Sequence, residues 1–358
     1  MIVFRSDSSN VIGSGHIMRC LRIAKNFKKL GKKCIFICSD YKSSLKKKIE
    51  QYGFEVKVIK KPKKKFIEVN KSSLAHSDWL VSTQEYDAEK TINIISKYKT
   101  ELLIIDHYGI DCIWENKLRL HVKKIMVIDD LADRRHNCDL LLDQNLVYNF
   151  KKRYKNLIQK KCNLLLGPRY ALLDARYSIL REKKISRSGK IKRIIIFFGG
   201  ADQNNYTQLA ITTILKLKIK DIFFDIVMNK QSIFFQQIKR ILKNKRNIRI
   251  HDSLPNLANL IFKADLAIGA AGSNTWERCC LGLPTIIISS GINQIKIANS
   301  MQKNGAAIVI RSKANLQKEI KNSFLFLYQN KKAYLKMSKK ALSICDGKGI
   351  NRLFAKLI

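Results

Sequence analysis

Val11-Ile12-Gly13-Ser14-Gly15-His16-Ile17-Met18-Arg19-Cys20 decides how this chain is read. It follows an apolar run, Met1 to Phe4, that predicts a first strand. After it, Ile17, Leu21, Ala24, Phe27 and Leu30 recur at spacings of three and four, which predicts an amphipathic helix. A glycine loop therefore joins a strand to a helix, with His16 at the helix start. Close glycines let backbone approach a ligand, and a helix start offers unpaired N–H groups and a positive dipole end. That field disfavours an imidazolium, which suits His16 to general-base work. The dinucleotide pattern G-x-G-x-x-G fails, because Met18 holds the third glycine position, and no Gly-Lys-Ser/Thr follows for a P-loop. A tight turn with a histidine N-cap is the plain alternative.

The same alternation runs along the chain. Apolar runs at Lys33–Cys38, Phe54–Ile59, Glu101–Ile105, Lys124–Ile128, Leu140–Leu142 and Asn163–Leu166 predict strands, with amphipathic stretches between several of them. A polar stretch, Arg181 to Lys190, reads as a linker. The pattern restarts at Arg193–Phe198 and continues through Phe223–Val227, Ile248–Ile250, Leu266–Ile268, Thr285–Ile288 and Ala306–Ile310. The fold class expected is α/β, with two Rossmann-like parallel domains facing a cleft and the ligand at the C-terminal ends of the strands. The expected division is 1–185, 186–340, and a tail at 341–358 that could pack back on the first domain.

Composition narrows the function classes. The chain has 358 residues, 46% of them hydrophobic, enough for two cores. It contains no run of 18 apolar residues and opens directly on a strand, so no membrane span and no signal peptide are expected, and a cytoplasmic location follows. The net charge of +41 invites a nucleic-acid partner. Lysine is spread throughout, however, alongside excess isoleucine and asparagine, which points to a coding bias and to no specific nucleic acid. The densest run, Lys60 to Lys65, reads as a solvated loop. Nine cysteines, odd in number, scattered and without a C-x-x-C pair, read as reduced, buried small residues. No metal or cofactor is expected, and a monomer is the expected state.

Further candidates stand just past predicted strands. Gly199-Gly200-Ala201-Asp202 is a second glycine loop, with Asn205 and Thr207 as possible helix caps. Gly269-Ala270-Ala271-Gly272-Ser273-Asn274-Thr275-Trp276-Glu277-Arg278 is the densest constellation. Its small residues clear space, Ser273 or Asn274 can cap a helix, and Glu277 can accept hydrogen bonds from a diol such as ribose. Asn274 and Glu277 also have capping-box spacing. Asn293 and Gln294 are two amides suited to phosphate or sugar hydroxyls. In the first half, Asp106-His107-Tyr108-Gly109 and Asp129-Asp130 end strands. Plain turns account for both, and the aspartate pair also allows a metal. The Tyr108 hydroxyl can reach a substrate or orient water. His76 and His121 read as surface residues.

Together these segments resemble the nucleotide-sugar hydrolase family of the pseudaminic acid pathway. The resemblance runs from Ser6-Asp7 and the His16 loop through Asp78-Trp79-Leu80, Ile105 to Gly109, Ile128 to Arg134, and Cys138 to Asn145. It continues through Gly167 to Leu173, Phe198 to Asp202, 269–284 and Asn293-Gln294. It implies a GT-B type fold like that of the glycosyltransferase MurG. It also implies hydrolysis of UDP-2,4-diacetamido-2,4,6-trideoxy-β-L-altropyranose, a small-molecule UDP-sugar substrate, with His16 as base and Tyr108 near the sugar. Gly15, Arg19, Asp106, Gly200, Gly272, Ser273, Asn274, Glu277, Asn293 and Gln294 become the expected substrate contacts. A MurG-like transferase using an alcohol acceptor in place of water is the main rival, and a non-catalytic nucleotide or nucleic-acid binder is the second.

Overall fold

The computed structural model describes residues 1–62, 74–183, 187–199, 202–252, 254–289, 292–311 and 314–357, the side chains of Ile292 and Asn293 excepted. The chain forms two units, Met1–Asn145 with Asn149–Leu172, and Leu146–Tyr148 with Leu173–Ile358.

In the first unit, elements alternate as β1 (Ile2–Ser6), α1 (Gly15–Lys29), β2 (Cys34–Ser39), α2 (Lys46–Gln51), β3 (Glu55–Ile59) and α3 (Gln84–Ile95). Then come β4 (Leu102–Asp106), α4 (Cys112–Leu118), β5 (Lys124–Ile128), β6 (Leu140–Asp143) and β7 (Asn163–Leu166). The seven strands make one sheet in the order β3-β2-β1-β4-β5-β6-β7, every pair parallel. Helices on a parallel sheet bury both strand faces, so its strands are unbroken apolar runs. Leu102, Leu103, Ile104 and Ile105 are all buried. Helix α1 buries the stripe Ile17, Cys20, Leu21, Ile23, Ala24 and Phe27, and ends on Lys28, Lys29 and a left-handed Gly31.

The second unit contains α5 (Ala175–Glu182), β8 (Arg193–Phe197), α6 (Tyr206–Leu215), β9 (Phe223–Val227), α7 (Phe235–Ile241), β10 (Ile248–His251), α8 (Ala258–Lys263) and β11 (Leu266–Gly269). It continues with α9 (Asn274–Cys280), β12 (Thr285–Ile288), α10 (Ile292–Lys303), β13 (Ile308–Ile310), α11 (Leu316–Gln329), α12 (Lys331–Ile344) and α13 (Gly349–Leu357). Its strands form a second parallel sheet, β10-β9-β8-β11-β12-β13. Isoleucines 194, 196, 226, 268, 286 and 288 fill its core.

Two parallel α/β units match the expected class. The division falls at Leu172/Leu173, upstream of the 185/186 boundary expected. Helix α5 packs on α8 and α9, and Arg181, read as linker, donates to the carbonyls of Cys280, Cys345 and Leu342. Residues 184–186 of that linker lie outside the described residues, as do 63–65 of the basic tract, of which Lys60 and Lys61 are exposed. The tail is helical on either side of Asp346, whose carboxylate accepts the Lys348 N–H. Among the described residues, no helix is long and apolar enough to cross a membrane.

Candidate functional site

In the first sheet the strand order reverses between β1 and β4. That switch point is where an open parallel sheet leaves a crevice past its strand ends. The His16 loop leaves β1, and Asp106 is the last residue of β4. Residues 16 and 19 share one face of α1. Both side chains reach the buried Asp106 carboxylate, with His16 Nδ1 2.6 Å from Oδ1. Arg19 donates through Nε to Oδ2 at 2.5 Å and through Nη2 to Oδ1 at 2.7 Å. Arg19 Nη1 also donates to Asp130, just past β5. Tyr108 O–H donates to the same Asp130 Oδ2 at 2.5 Å, and Asn145 Nδ2 donates to Oδ1 at 2.9 Å. His16, Arg19, Asp106 and Tyr108 thus form one hydrogen-bonded group through Asp106 and Asp130.

The Asp106 carboxylate is fixed in its charged form. Burial works to raise the Asp106 carboxyl, but Arg19 and His16 outweigh it and hold it well below the usual carboxylate range. An ionised Asp106 takes the Nδ1 proton as its hydrogen-bond partner. With Nδ1 donating to Asp106, the Nε2 lone pair of the imidazole is the basic position, and among the described residues Nε2 has no hydrogen-bond partner. Burial, then Asp130, pushes the Tyr108 phenol far up, so it stays a donor.

An aromatic group stands against His16. The Tyr108 ring meets it edge-on at 4.6 Å and Trp79 at 5.7 Å, while Trp79 and Tyr108 stack at 5.3 Å. His76, expected at the surface, packs 4.5 Å from Trp79 and 5.6 Å from Tyr108. Its mixed neighbours in sequence, Leu74-Ala75 and Ser77-Asp78, do not mark that contact, which only the fold supplies. His121 is exposed, as expected. The Trp79 carbonyl accepts from Tyr41 O–H at 2.6 Å and His107 Nε2 at 3.2 Å. His107 Nδ1 accepts the Gly109 N–H, so its proton sits on Nε2, facing Asp7 at 3.1 Å.

Three buried carboxylates of this unit are each paired with an arginine: Asp7 with Arg5, Asp106 with Arg19, Asp129 with Arg134. Burial opposes ionisation in each, and the cations beside it win, so all three lie well below the usual range. Groups depressed on folding stabilise the native state above their unfolded values, near 4, and that stability is lost as pH falls through the folded values. Acid unfolding of this unit should begin below about pH 4 and be reversed on neutralisation. Tryptophan fluorescence against pH measures it. A flat signal down to pH 2 contradicts the assigned pairings.

The aspartates past β5, which also allowed a metal reading, are both engaged. Asp129 pairs with Arg134 and accepts from Tyr154 O–H at 2.9 Å, and Asp130 is held by Arg19, Tyr108 and Asn145.

In the second sheet the order reverses between β8 and β11, and both glycine-containing loops leave those strands. After β8, Asp202 caps α6, accepting from Tyr206 N at 3.0 Å and Thr207 N at 2.9 Å. This corrects the reading of Asn205 and Thr207 as caps. Asn205 is left-handed, and its amide turns to Gln208. A carboxylate already occupies those first N–H groups. Gly200 lies outside the described residues.

After β11, Ser273 holds the N-cap position of α9 without a side-chain cap bond. Asn274 donates from Nδ2 to Glu277 Oε2 at 2.8 Å, so the pair is a side-chain contact and not a capping box. Glu277 is buried one turn into the helix. Arg278 runs under the loop and donates to the Ala270 carbonyl at 2.6 Å and to Thr275 Oγ1 at 3.2 Å. Its guanidinium is pushed down to about 10 by burial. A Cβ at Gly272, or at Gly15 in the first unit, would meet no atom within 4 Å. Neither glycine has the left-handed φ of Gly13, so packing demands glycine at neither. Gln294 lies on α10, half-buried, and the Asn293 side chain is outside the described residues.

Residues 194–353 match the glycosyltransferase family 28 C-terminal domain. Over 305 residues the chain is 30% identical to the UDP-2,4-diacetamido-2,4,6-trideoxy-β-L-altropyranose hydrolase of Campylobacter jejuni, covering 85% of this chain and 97% of that protein. It is 22% identical to the spore coat polysaccharide biosynthesis protein SpsG of Bacillus subtilis, over 79% of this chain and 83% of that one. Among solved structures it is similar to MurG of Acinetobacter baumannii, with a TM-score of 0.66 at 13% identity, covering 99% and 98% of the two chains. At that identity the likeness speaks for the fold, which is of the two-unit GT-B type. Identity of this level over nearly the whole of the relative settles descent: the chain belongs to the family of the Campylobacter jejuni UDP-2,4-diacetamido-2,4,6-trideoxy-β-L-altropyranose hydrolase.

Proposed function

We propose that this chain hydrolyses UDP-2,4-diacetamido-2,4,6-trideoxy-β-L-altropyranose to UDP and 2,4-diacetamido-2,4,6-trideoxy-L-altrose. Water attacks the anomeric carbon on the face opposite UDP and inverts it. The observation that carries this reading is His16, held through Nδ1 by an ionised Asp106, with Nε2 left to take a proton.

Hydrolysis of a simple glycoside needs a second carboxyl group to protonate a poor alcohol leaving group. A nucleoside diphosphate leaves as a stabilised anion, so one base and donors to the phosphates suffice. His16 Nε2 polarises the water, and Asp106 stabilises the imidazolium that forms, while Arg19 keeps that carboxylate ionised and fixed. Tyr108, donating to Asp130, presents its ring beside the histidine and with Trp79 forms a wall for the sugar. In the second unit, the backbone at Gly272 and Ser273 and the amide of Asn274 face the diphosphate. Glu277, oriented by Asn274, accepts from the ribose hydroxyls. Gln294 adds a donor, and Asn293 and Gly200 are further contacts proposed from the sequence alone.

Gly15 supplies a prediction of its own. Gly15→Ala should leave the melting temperature unchanged or slightly higher, since alanine favours a helix by about 0.5–1 kcal/mol. It should lower kcat/KM by roughly tenfold or more, because a methyl group would displace what approaches the loop. Calorimetry and steady-state kinetics on one preparation check both halves. Full activity would show that no ligand comes near Gly15.

The reading is tested by incubating purified protein with the UDP-sugar and no acceptor, following both molecules by NMR. UDP and free sugar should appear together. UDP that appears only after an alcohol is added identifies a transferase. An intact substrate under both conditions overturns the assignment of this sugar.

A further inference from the structure

Two of the nine cysteines stand in direct contact outside the proposed active site. Cys138 Sγ lies 3.6 Å from Cys162 Sγ, where the chain enters β6 and β7. Adjacent parallel strands create this contact: Asn163 N donates to the Asp139 carbonyl at 2.9 Å, setting the two cysteines side by side at the start of the pair. Their environments differ. Cys138 is buried, whereas Cys162 is half-buried and follows the exposed Lys160 and Lys161. Either sulfur can donate to the other, and Cys162, the one of the two that reaches solvent, is the one a small oxidant meets first. An accessible sulfur with a buried thiol in contact behind it is the arrangement of an attacking and a resolving cysteine.

We infer that Cys138 and Cys162 are a modification site at which hydrogen peroxide forms an intramolecular disulfide. The Cys162 thiolate attacks one peroxide oxygen. The O–O bond breaks, hydroxide leaves and becomes water, and Cys162 is a sulfenic acid. The Cys138 sulfur then attacks the Cys162 sulfur. The S–S bond forms, the S–O bond breaks, and the second oxygen leaves as water with the Cys138 proton. Two thiols lose two electrons and one peroxide gains them. This site does not depend on the reaction that the chain catalyses.

The bond would close the loop from 138 to 162, which carries Asp143, Asn145, Arg153 and Tyr154. Arg153 donates to Asp143 at 2.7 Å and to the Leu131 carbonyl, and Asn145 holds Asp130. Closing such a loop restricts the unfolded chain, so the oxidised form should melt roughly 5 °C higher. The remaining cysteines supply internal controls. Cys280 and Cys345 are hydrogen-bonded to each other but both are buried away from solvent. Cys112 is half-buried and, among the described residues, touches no second sulfur.

The experiment treats the native protein with a small excess of hydrogen peroxide, alkylates it, and maps its tryptic peptides without reduction. Trypsin should place Cys138 in 136–151 and Cys162 in 162–169, each as the sole cysteine of its peptide. The expected result is one species joining these two peptides, lighter than their sum by two hydrogens and released by reduction. Cys112, Cys280 and Cys345 should remain alkylated thiols. Recovery of Cys138 and Cys162 as alkylated thiols overturns the proposal, as does Cys162 as a sulfinic or sulfonic acid with Cys138 free. A Cys162→Ser variant that still cross-links Cys138 to another cysteine overturns it too.

Discussion

His16→Asn is expected to lower kcat by about 10²–10⁴-fold, the usual contribution of a positioned general base, while UDP binds as before. The asparagine amide can still face Asp106, so the buried group keeps a neighbour, but no nitrogen lone pair remains where Nε2 stood. His16 is at the second position of α1 with its ring against Tyr108 and Trp79. The exchange leaves a small space there and little else. Pre-steady-state kinetics should put the loss in the chemical step, and calorimetric titration should give UDP an unchanged Kd. Retained turnover would remove His16 as the base. Weakened UDP binding would make it a binding residue.

Asp106→Asn should cost a comparable factor, about 10²–10⁴ in kcat, and should also lower stability. The carboxylate accepts from His16 and twice from Arg19, both within 2.7 Å. An asparagine amide matches its shape, but Arg19 bonds both carboxylate oxygens, so it meets an N–H in either orientation. With its NH₂ in the Oδ1 position the amide also faces Nδ1 and forces the His16 proton to Nε2, where the lone pair is needed. With its NH₂ in the Oδ2 position the amide faces Arg19 Nε. Arg19 is buried and keeps only Asp130 as an anionic partner, so the loss in unfolding free energy is about 3 kcal/mol, at the lower end for breaking a buried pair. Urea unfolding and kcat measured together separate this variant from His16→Asn, which should lose activity at nearly full stability. Equal stability for both variants would mean that Asp106 is not the anchor of the group.

The strands were legible because a parallel sheet covered on both faces is written as runs such as Leu102 to Ile105 and Ile194 to Ile196, which no surface element imitates. Glycine loops leaving β1, β8 and β11 were legible for the same reason: once the strands are known, their ends are known. The connections across the sheet were not. Asp130 reads as half of an ordinary turn, and its hold on Arg19, Tyr108 and Asn145 spans 111, 22 and 15 residues. His76 stands between Leu74-Ala75 and Ser77-Asp78, a mixed setting that marks no contact, and only the stacked Trp79 and Tyr108 draw it in. The cap on α6 fell to Asp202 because a left-handed Asn205 turned its own side chain away. The unit boundary was misplaced because Arg181 to Lys190 is polar in composition, yet Arg181 spends its charge on carbonyls inside the second unit.

The central claim is that water, activated at His16, attacks carbon and not phosphorus. Turnover of the UDP-sugar in ¹⁸O-labelled water, stopped early and read by mass spectrometry, tests it most directly. The account predicts the label in the anomeric hydroxyl of the released sugar and none in the phosphates of UDP. Label in the β-phosphate, with the sugar carrying only ¹⁶O, would mean cleavage of the phosphorus–oxygen bond and would contradict the mechanism.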